Sequence, residues 1–338
     1  MPSPTPALPR NCTFAAPDWA ILAAHWHPVA ASAAITNRPV AARLLDQDLV
    51  LYRTTTGLTV AADLCAHRGA PLSMGKLRDG HIVCAYHGYC YDGTGRCTAV
   101  PAHPQAPIPG KLHLRVFASV ERYGLIWVCL AEKPAAEIPA FPEFDQPAFQ
   151  QIAVPPFTWA ASAGRQIESF CDVAHFAFVH ENTFAVRDPV VPRYEAQAVP
   201  GGVFADFTSH AGNVADPNAA AQTWRRVYHI HLPFTAHLVI HFPHGGRMAI
   251  LNASCPVSAR KTQVFALVAR DFEHDQPVAD VIAFQQKIYA EDQAVVERQN
   301  PEDLPIDLAE EVHVRADLTS VTYRRQLAAL GLGRPFTA

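Results

Sequence analysis

The fold of this chain is decided by two short stretches, CAHRGAPL beginning at Cys65 and CAYHGY beginning at Cys84. Each combines one cysteine with one histidine, so the pattern runs Cys65-x-His67, sixteen intervening residues, then Cys84-x-x-His87. Glycine follows both pairs and proline follows the first; glycine lets a backbone approach inorganic atoms closely, and proline stiffens a loop. Two thiolates and two imidazoles in two short loops predict a metal centre.

These four residues match the ligand set of a Rieske [2Fe–2S] centre, in which two cysteines bind one iron and two histidines bind the other. Such a centre carries electrons, and its neutral imidazoles raise its reduction potential. A structural zinc site is the alternative, because zinc also takes two cysteines and two histidines. Zinc fingers usually pair like ligands at close spacing, whereas each stretch here mixes the two types. We therefore predict that Cys65, His67, Cys84 and His87 bind a [2Fe–2S] cluster.

Length and composition restrict the class of protein. The chain has 338 residues, 49% of them hydrophobic, which is enough for two domains with substantial cores. A formal net charge of −4 and the lack of a basic block argue against nucleic-acid binding. The six cysteines outside the two stretches are scattered, as in a reducing compartment. With no signal-peptide pattern and no apolar run of about eighteen residues, the sequence predicts a cytoplasmic protein.

The first part of the chain has the pattern of a small antiparallel β domain. Residues 17–135 read as short strands broken by turns, including the continuous apolar run LIWVCL that begins at Leu125. Residues 131–157 are rich in proline and predict an irregular connection. We place a Rieske domain with an N-terminal arm at 1–145, and a second domain at 146–338.

The second part predicts an α+β domain, in which an antiparallel sheet wraps around a helix. Helical patterns cover 163–178, 277–299 and 319–332, and strand patterns cover 193–273. Within the strands, residues 211–220 form a polar stretch that fits either a mobile lid or a plain surface loop. An apolar substrate pocket is expected among the central strands, although the pattern does not say which strand face points inward. The candidate pocket residues are Phe204, Phe207, Tyr228, Ile230, Leu232, Leu238, Ile240 and Phe242.

A second metal site is indicated by the run DVAHFAFVH, which begins at Asp172 and contains His175 and His180. On a helix, Asp172 and His175 would share a face, because residues three apart are neighbours there. His175 and His180 are five apart, so both reach one ion only if the helix widens locally or ends between them. Two histidines and one carboxylate would form the facial triad of a mononuclear non-haem Fe(II) site.

The late helix supplies the candidate carboxylate. Asp292 falls on its predicted apolar stripe, whereas its neighbour Glu291 falls on the polar side, four residues after Lys287. A carboxylate that faces a core costs several kcal/mol unless it is paired or binds a metal, and this selects Asp292. A capping or salt-bridged acid remains the alternative for Asp292. The stripe consists of Val281, Phe284, Ile288 and Val295.

In both motifs the chain resembles the α-subunits of Rieske non-haem iron oxygenases, over nearly its whole length from Trp19 to Leu332. The resemblance implies a helix-grip catalytic domain with Fe(II) bound by His175, His180 and Asp292. It implies a head-to-tail homotrimer in which one subunit's cluster serves its neighbour's iron. It also implies a reaction that uses O2 and two electrons from NAD(P)H, supplied by a separate reductase, sometimes through a ferredoxin.

Asp172 has two readings from the residues alone: a purely structural acid, or a hydrogen-bond partner that orients His175. The resemblance implies that Asp172 is an electron bridge between subunits, joining His175 to His87 of the neighbour. The chain departs from the family pattern at Ser169, where an asparagine is common. None of the departures removes a predicted ligand.

The single polypeptide is most similar to the homo-oligomeric monooxygenase and demethylase branch, to which vanillate and dicamba demethylases belong. The resemblance therefore implies an oxidoreductase that hydroxylates or oxidatively demethylates a small aromatic or heterocyclic substrate. Within enzymes, ring cis-dihydroxylation is the alternative. In another class, a non-catalytic Rieske electron-transfer protein is the alternative, and iron analysis separates it because it would lack the mononuclear iron.

Overall fold

The computed structural model describes residues 8–184, 188–211 and 222–333. The predicted polar stretch at 211–220 therefore lies outside the described residues except for its first residue. The chain forms two compact units, Met1–Glu137 and Ile138–Ala338, whereas the sequence places the boundary at 145. Residues 138–145 belong to the second unit because Phe141 is fully buried there against His237, with ring centroids 5.3 Å apart.

The first unit is built from short antiparallel strands after one helix, α1 (Ala16–Ala23). They form three sheets, with the orders β1-β10-β9, β2-β3-β4 and β5-β6-β7-β8. The apolar run at Leu125 forms β10, which is buried along its entire length. The strands are β1 (His27–Ala31), β2 (Val40–Leu44), β3 (Gln47–Thr54), β4 (Gly57–Ala62), β5 (Lys76–Arg78), β6 (His81–Val83), β7 (Cys90–Tyr91), β8 (Cys97–Ala99), β9 (Ala118–Arg122) and β10 (Leu125–Cys129).

The second unit is an eight-stranded antiparallel sheet with three helices, which confirms the predicted α+β class. The strand order is β11-β18-β17-β16-β15-β14-β13, and β12 also pairs with β18. The strands are β11 (Gln150–Ala153), β12 (Phe157–Trp159), β13 (Glu195–Val199), β14 (Gly202–Ala211), β15 (Gln222–His231), β16 (Thr235–His241), β17 (Arg247–Ser258) and β18 (Lys261–Arg270). The helices are α2 (Ala163–Cys171), α3 (Val278–Val296) and α4 (Leu318–Leu330). Helix α2 packs on β16, β17 and β18 and contacts both other helices.

The helix predicted at 163–178 ends early, at Cys171, and the following residues form turns. The cause lies in Asp172, whose carboxylate accepts a hydrogen bond of 2.7 Å from the backbone N–H of Ala174. This local bond offers the backbone an alternative to helix, as aspartate often does. Asp172 and His175 are therefore close, but not because they share a helical face. Both histidines of the motif follow the helix end, so the prediction that the helix widens or ends between His175 and His180 is wrong: it ends before both.

The late helix, α3, buries a different stripe from the one predicted. Phe284 and Val295 are 46% and 50% exposed, so the buried line is rotated by about one residue. Asp292 nevertheless lies on it and is 6% exposed. The buried residues of α3 are Val281, Gln285, Tyr289, Asp292 and Val296. Polar Gln285 inside this line explains the shift, since a stripe that follows apolar residues alone misses it.

Four charged side chains tie α2 to α4 in the interior of the second unit. Arg324 is 2% exposed and donates to Glu168 at 2.6 Å and to Glu311 at 2.5 Å. Arg165 is 3% exposed and donates to Glu311 at 2.7 Å. Each carboxylate therefore accepts from buried arginine, and removal of one would leave a buried cation poorly compensated.

We expect Glu311→Gln to lower the free energy of unfolding by about 2 kcal/mol at pH 7, measured by urea denaturation followed by circular dichroism. Burial raises the pKa of Glu311, but hydrogen bonds from Arg165 and Arg324 outweigh burial and lower the pKa below its ordinary 4.5. The contribution is thus complete above pH 4.5 and disappears as the pH falls through the lowered folded-state pKa. Glu310→Gln, at the neighbouring exposed carboxylate, is the matched control. An equal loss in both variants, or a loss that persists at pH 3, would contradict this role.

Candidate metal centres and substrate cavity

The two predicted cluster loops have the same hydrogen-bond pattern. In the first, the N–H of Cys65 donates to the carbonyl of Ala70 at 2.8 Å, and the N–H of Gly69 donates back to Cys65 at 2.9 Å. In the second, Cys84 and Gly88 occupy the corresponding positions, with distances of 2.9 and 3.0 Å. Gly69 and Gly88 have φ values of 70° and 71°, the left-handed region that glycine enters without strain. The two loops are thus matched halves of one cradle.

The cradle holds its sulfur ligands inside and its imidazoles outside. Cys65 and Cys84 are each 3% exposed, and the Tyr91 hydroxyl lies 3.2 Å from the Cys65 sulfur. The rings of His67 and His87 are 4.8 Å apart at the surface end. The four donors do not converge on one ion as zinc would require; the one convergent group among the described residues lies elsewhere. The donor set and its separation fit a two-iron cluster with thiolates on the inner iron.

The convergent group is His175, His180 and Asp292. Asp292 Oδ1 lies 3.4 Å from His175 Nε2 and 3.1 Å from His180 Nε2, and the two ring nitrogens are 3.1 Å apart. Three cis ligands on an octahedral ion with bonds of about 2.1 Å would lie about 3 Å from one another. The triangle therefore has the dimensions of a facial triad.

The outer nitrogens of both imidazoles face carboxylates. His180 Nδ1 donates to Glu291 Oε2 at 2.7 Å, and His175 Nδ1 lies 3.5 Å from Asp172 Oδ2. With protons on these outer nitrogens, both Nε2 atoms present lone pairs towards Asp292 Oδ1, which is buried with no hydrogen-bond donor among the described residues. Three ligand atoms that converge in this way can bind one metal cation, so the arrangement fits Fe(II).

Glu291 is the residue that sequence reasoning missed. Glu291 lies 3.8 Å from Lys287, but the same carboxylate also accepts from His180 and, at 2.8 Å, from the Thr183 hydroxyl. The general rule that a metal-binding histidine donates its other N–H to a carboxylate could have indicated it. Burial lowers the pKa of His180, but Asp292 and Glu291 outweigh burial and raise it above 6.5. A protonated His180 cannot bind iron through Nε2, so this nitrogen has to lose its proton first. We therefore expect iron binding to weaken as the pH falls.

We expect Glu291→Ala to weaken Fe(II) binding about 10- to 100-fold, because His180 then loses the partner that fixes its tautomer and ring orientation. The measurement is iron content after dialysis against graded chelator concentrations, with the cluster absorbance as an internal reference. Lys287→Ala removes the exposed partner of the same carboxylate and should retain iron like the unaltered protein. Equal retention in both variants would show that Glu291 does not position His180.

A buried hydrogen-bond chain holds α3 in place relative to α2. The Tyr289 hydroxyl donates to the Asn252 carbonyl oxygen at 3.0 Å, and the Asn252 amide donates to Gln166 at 2.9 Å. Tyr289 lies on α3, Asn252 on β17 and Gln166 on α2, so the chain crosses the core between the two helices. Since Asp292 is one turn after Tyr289, this chain sets the position of the carboxylate in the triad.

The triad lies in the wall of a cavity of about 550 Å³. The structure resolves which strand face points inward: Tyr228, Leu238, Ile240 and Phe242 line the cavity, and the other four predicted residues do not. His229 and His237 pair across β15 and β16 on the other face, where His237 lies 3.1 Å from Glu143. The apolar residues that complete the wall include Phe170, Phe176, Phe184, Trp224, Met248, Ile250, Phe284 and Ile288.

A second cavity, of about 340 Å³, shares Ser169, His175 and Asp292 with the first. Asp172 lines only this second cavity, and its side chain is 32% exposed there. The charged residues of the α2–α4 network line it as well. His175 is thus reached from two sides, an apolar one and a charged one.

Comparisons with known proteins agree with both centres. The family described as "Rieske [2Fe-2S] domain" matches residues 25–120, and "Vanillate O-demethylase oxygenase C-terminal domain" matches residues 159–332. Methylxanthine N1-demethylase NdmA of Pseudomonas putida is 35% identical over 90% of this chain and 88% of its own. Methylxanthine N3-demethylase NdmB of the same species is 29% identical over 91% and 89%. The solved structure of Pseudomonas putida CBB5 NdmA with caffeine superposes with a TM-score of 0.82, at 33% identity over 91% of this chain and 90% of that one. Among the described residues, no helix is long and apolar enough to span a membrane.

Proposed function

Since the chain belongs to the Rieske non-haem iron oxygenases, we propose that it is the oxygenase component of a system that hydroxylates or oxidatively demethylates a small aromatic or heterocyclic substrate. The enzyme is an iron-dependent monooxygenase with a [2Fe–2S] cluster and a mononuclear Fe(II). Demethylation is the favoured reaction, because both methylxanthine relatives are named demethylases and match over most of their length.

In this proposal Cys65, His67, Cys84 and His87 bind the cluster, and the triad binds the ferrous ion. When bound, the cluster supplies electrons one at a time and the ferrous ion activates O2. The protein's own contribution is to hold the substrate's methyl carbon beside the triad and to exclude water with the aromatic wall. Oxidation of an N- or O-methyl group takes one oxygen atom from O2, two electrons and two protons, and releases water. The hydroxymethyl product then collapses to formaldehyde and the demethylated compound.

Electrons reach His175 from the charged cavity rather than from the substrate cavity in this proposal. Asp172 carries them because it lies beside His175 and faces solvent on that side. We assign it to a bridge with His87 of a neighbouring subunit in a head-to-tail homotrimer. A separate NAD(P)H-dependent reductase, with or without a ferredoxin, reduces the cluster.

The observation that carries the proposal is the convergence of three ligand atoms in the wall of an apolar cavity. The test is O2 uptake by the iron-loaded enzyme with a generic reductase, across a panel of methoxy- and N-methyl-substituted aromatic compounds. We expect uptake that depends on one of them, with formaldehyde in equal amount. A cis-diol product would favour ring dihydroxylation. If the protein holds two irons per chain and consumes no O2 with any compound of the panel, the electron-transfer alternative is favoured.

A further inference from the structure

The substrate cavity has a buried cation in its wall. Arg226 lies on β15, between Trp224 and Tyr228 on the inward face, and is 5% exposed. Its guanidinium carbon lies 5.2 Å from the centre of the Phe176 ring and 5.5 Å from that of Trp224. Its one hydrogen bond to a described residue goes to the Ser209 hydroxyl, at 2.7 Å. The guanidinium is thus held by two ring faces and one neutral oxygen.

Arg226 forms no ion pair with any described residue. Its sequence neighbour behaves in the opposite way: Arg225 is exposed on the other strand face and pairs with Asp206 at 2.5 Å. A buried cation without a carboxylate is strongly unfavourable, and folded proteins rarely keep one unless a ligand compensates it. Burial lowers the pKa of Arg226, but arginine stays protonated in proteins. The cavity therefore presents a permanent positive charge to whatever binds in it.

A second donor lies two residues further along the same strand face. The Tyr228 hydroxyl is buried, lines the same cavity and has no hydrogen-bond partner among the described residues. Burial raises the pKa of Tyr228, so its hydroxyl keeps its proton and can donate. The guanidinium can only donate and the phenol can donate its O–H, so together they can bind the two oxygens of a carboxylate.

Resting on the proposed function, we propose that the substrate is an aromatic or heteroaromatic carboxylic acid whose carboxylate is bound by Arg226, with Tyr228 as a second donor. The position of Phe176 supports this orientation. Its ring centre lies 5.2 Å from the Arg226 guanidinium carbon and 4.9 Å from the centre of the His175 ring. One planar ring of the substrate can thus lie along Phe176, with the carboxylate at Arg226 and the methyl-bearing group at the triad. Caffeine, the ligand in the similar structure named above, has no acidic group, so specificity differs here.

The test is equilibrium binding by calorimetry to the iron-loaded enzyme under anaerobic conditions. The probes are the three isomeric methoxybenzoates and an N-methylindole carboxylate, each beside its neutral primary amide. We expect at least one acid to bind about 100-fold tighter than its amide. Arg226→Met should reduce that preference to less than about 3-fold, and Arg226→Lys should keep part of it. Arg225→Gln is the matched control and should leave the preference intact.

The outcomes separate this inference from the proposed function. Acids that bind preferentially but give neither O2 uptake nor formaldehyde would refute the demethylase proposal and still support the anion site. Neutral amides that bind and react as well as their acids would overturn the inference and leave the demethylase standing. Arg226→Met is replaced as a test if it fails to fold, as judged by cluster absorbance and iron content. In that case the ratio of acid affinity to amide affinity, measured for the unaltered enzyme and for Tyr228→Phe, tests the carboxylate site. A ratio near one for every pair in the unaltered enzyme refutes a carboxylate site.

Discussion

His175→Ala should abolish substrate oxidation, by at least about 1,000-fold, while the visible spectrum of the [2Fe–2S] cluster stays unchanged. The reason is that His175 Nε2 is one corner of a triangle with sides of 3.1 to 3.4 Å, and a facial site that loses one of three ligands binds Fe(II) far more weakly. Iron analysis should fall from about three to about two irons per chain. Formaldehyde release and O2 uptake with a reductase provide the activity measurement.

A matched control is His274→Ala, which removes an exposed histidine of the same unit that lines neither cavity. It should keep both iron and turnover. Asp292→Asn provides an independent second variant, since the amide is a poorer ligand but has nearly the same shape. If His175→Ala still held its third iron or still turned over, the assignment of the triad would be wrong. Loss of the cluster spectrum in His175→Ala would instead indicate a general failure to fold.

Asp172→Asn is the second substitution with a large expected effect: turnover should fall at least about 100-fold with both metal centres retained. The asparagine side chain keeps an oxygen that can accept from the Ala174 N–H, so the turn that ends α2 survives. What disappears is the negative charge 3.5 Å from His175 Nδ1. Burial raises the pKa of Asp172, but hydrogen bonding to His175 outweighs burial and lowers it, so the Asp172 carboxylate is ionised at neutral pH.

The measurement that isolates this step is stopped-flow oxidation of the pre-reduced cluster after mixing with O2 and substrate. Reduction of the cluster by the reductase should be normal in Asp172→Asn, whereas oxidation of the cluster should be slow. Asp317→Asn makes the same change of charge in the same cavity and should not affect cluster oxidation. Normal cluster oxidation in Asp172→Asn would refute the bridge. Slow oxidation in both variants would point to the total charge of the cavity instead.

Two predicted features differ from the structure: the end of α2 and the buried stripe of α3. The helix predicted at 163–178 extends past its true end because hydrophobic spacing continues through Phe176 and Phe178, while the competing side-chain bond of Asp172 acts over two residues. The predicted stripe on α3 contains Asp292 but lacks Gln285, which is buried in the structure. Buried polar residues at a functional site are where pattern reasoning is least reliable, because the site and not the core determines them.

The sequence by itself determined the two predicted cluster loops. In each loop the cysteine, the histidine, the glycine and the hydrogen bonds lie within one stretch of six residues. The sequence also determined that Asp292 needs a partner, since burying a carboxylate is costly wherever the helix packs. Only the tertiary structure decided how the second centre closes. His180 meets Glu291 across 111 residues of chain, and Arg226 on β15 meets Phe176 in the turns that follow α2. Such contacts depend on how α3 and β15 pack around α2. Local spacing in a sequence contains no information about distances between segments that meet only in the folded core.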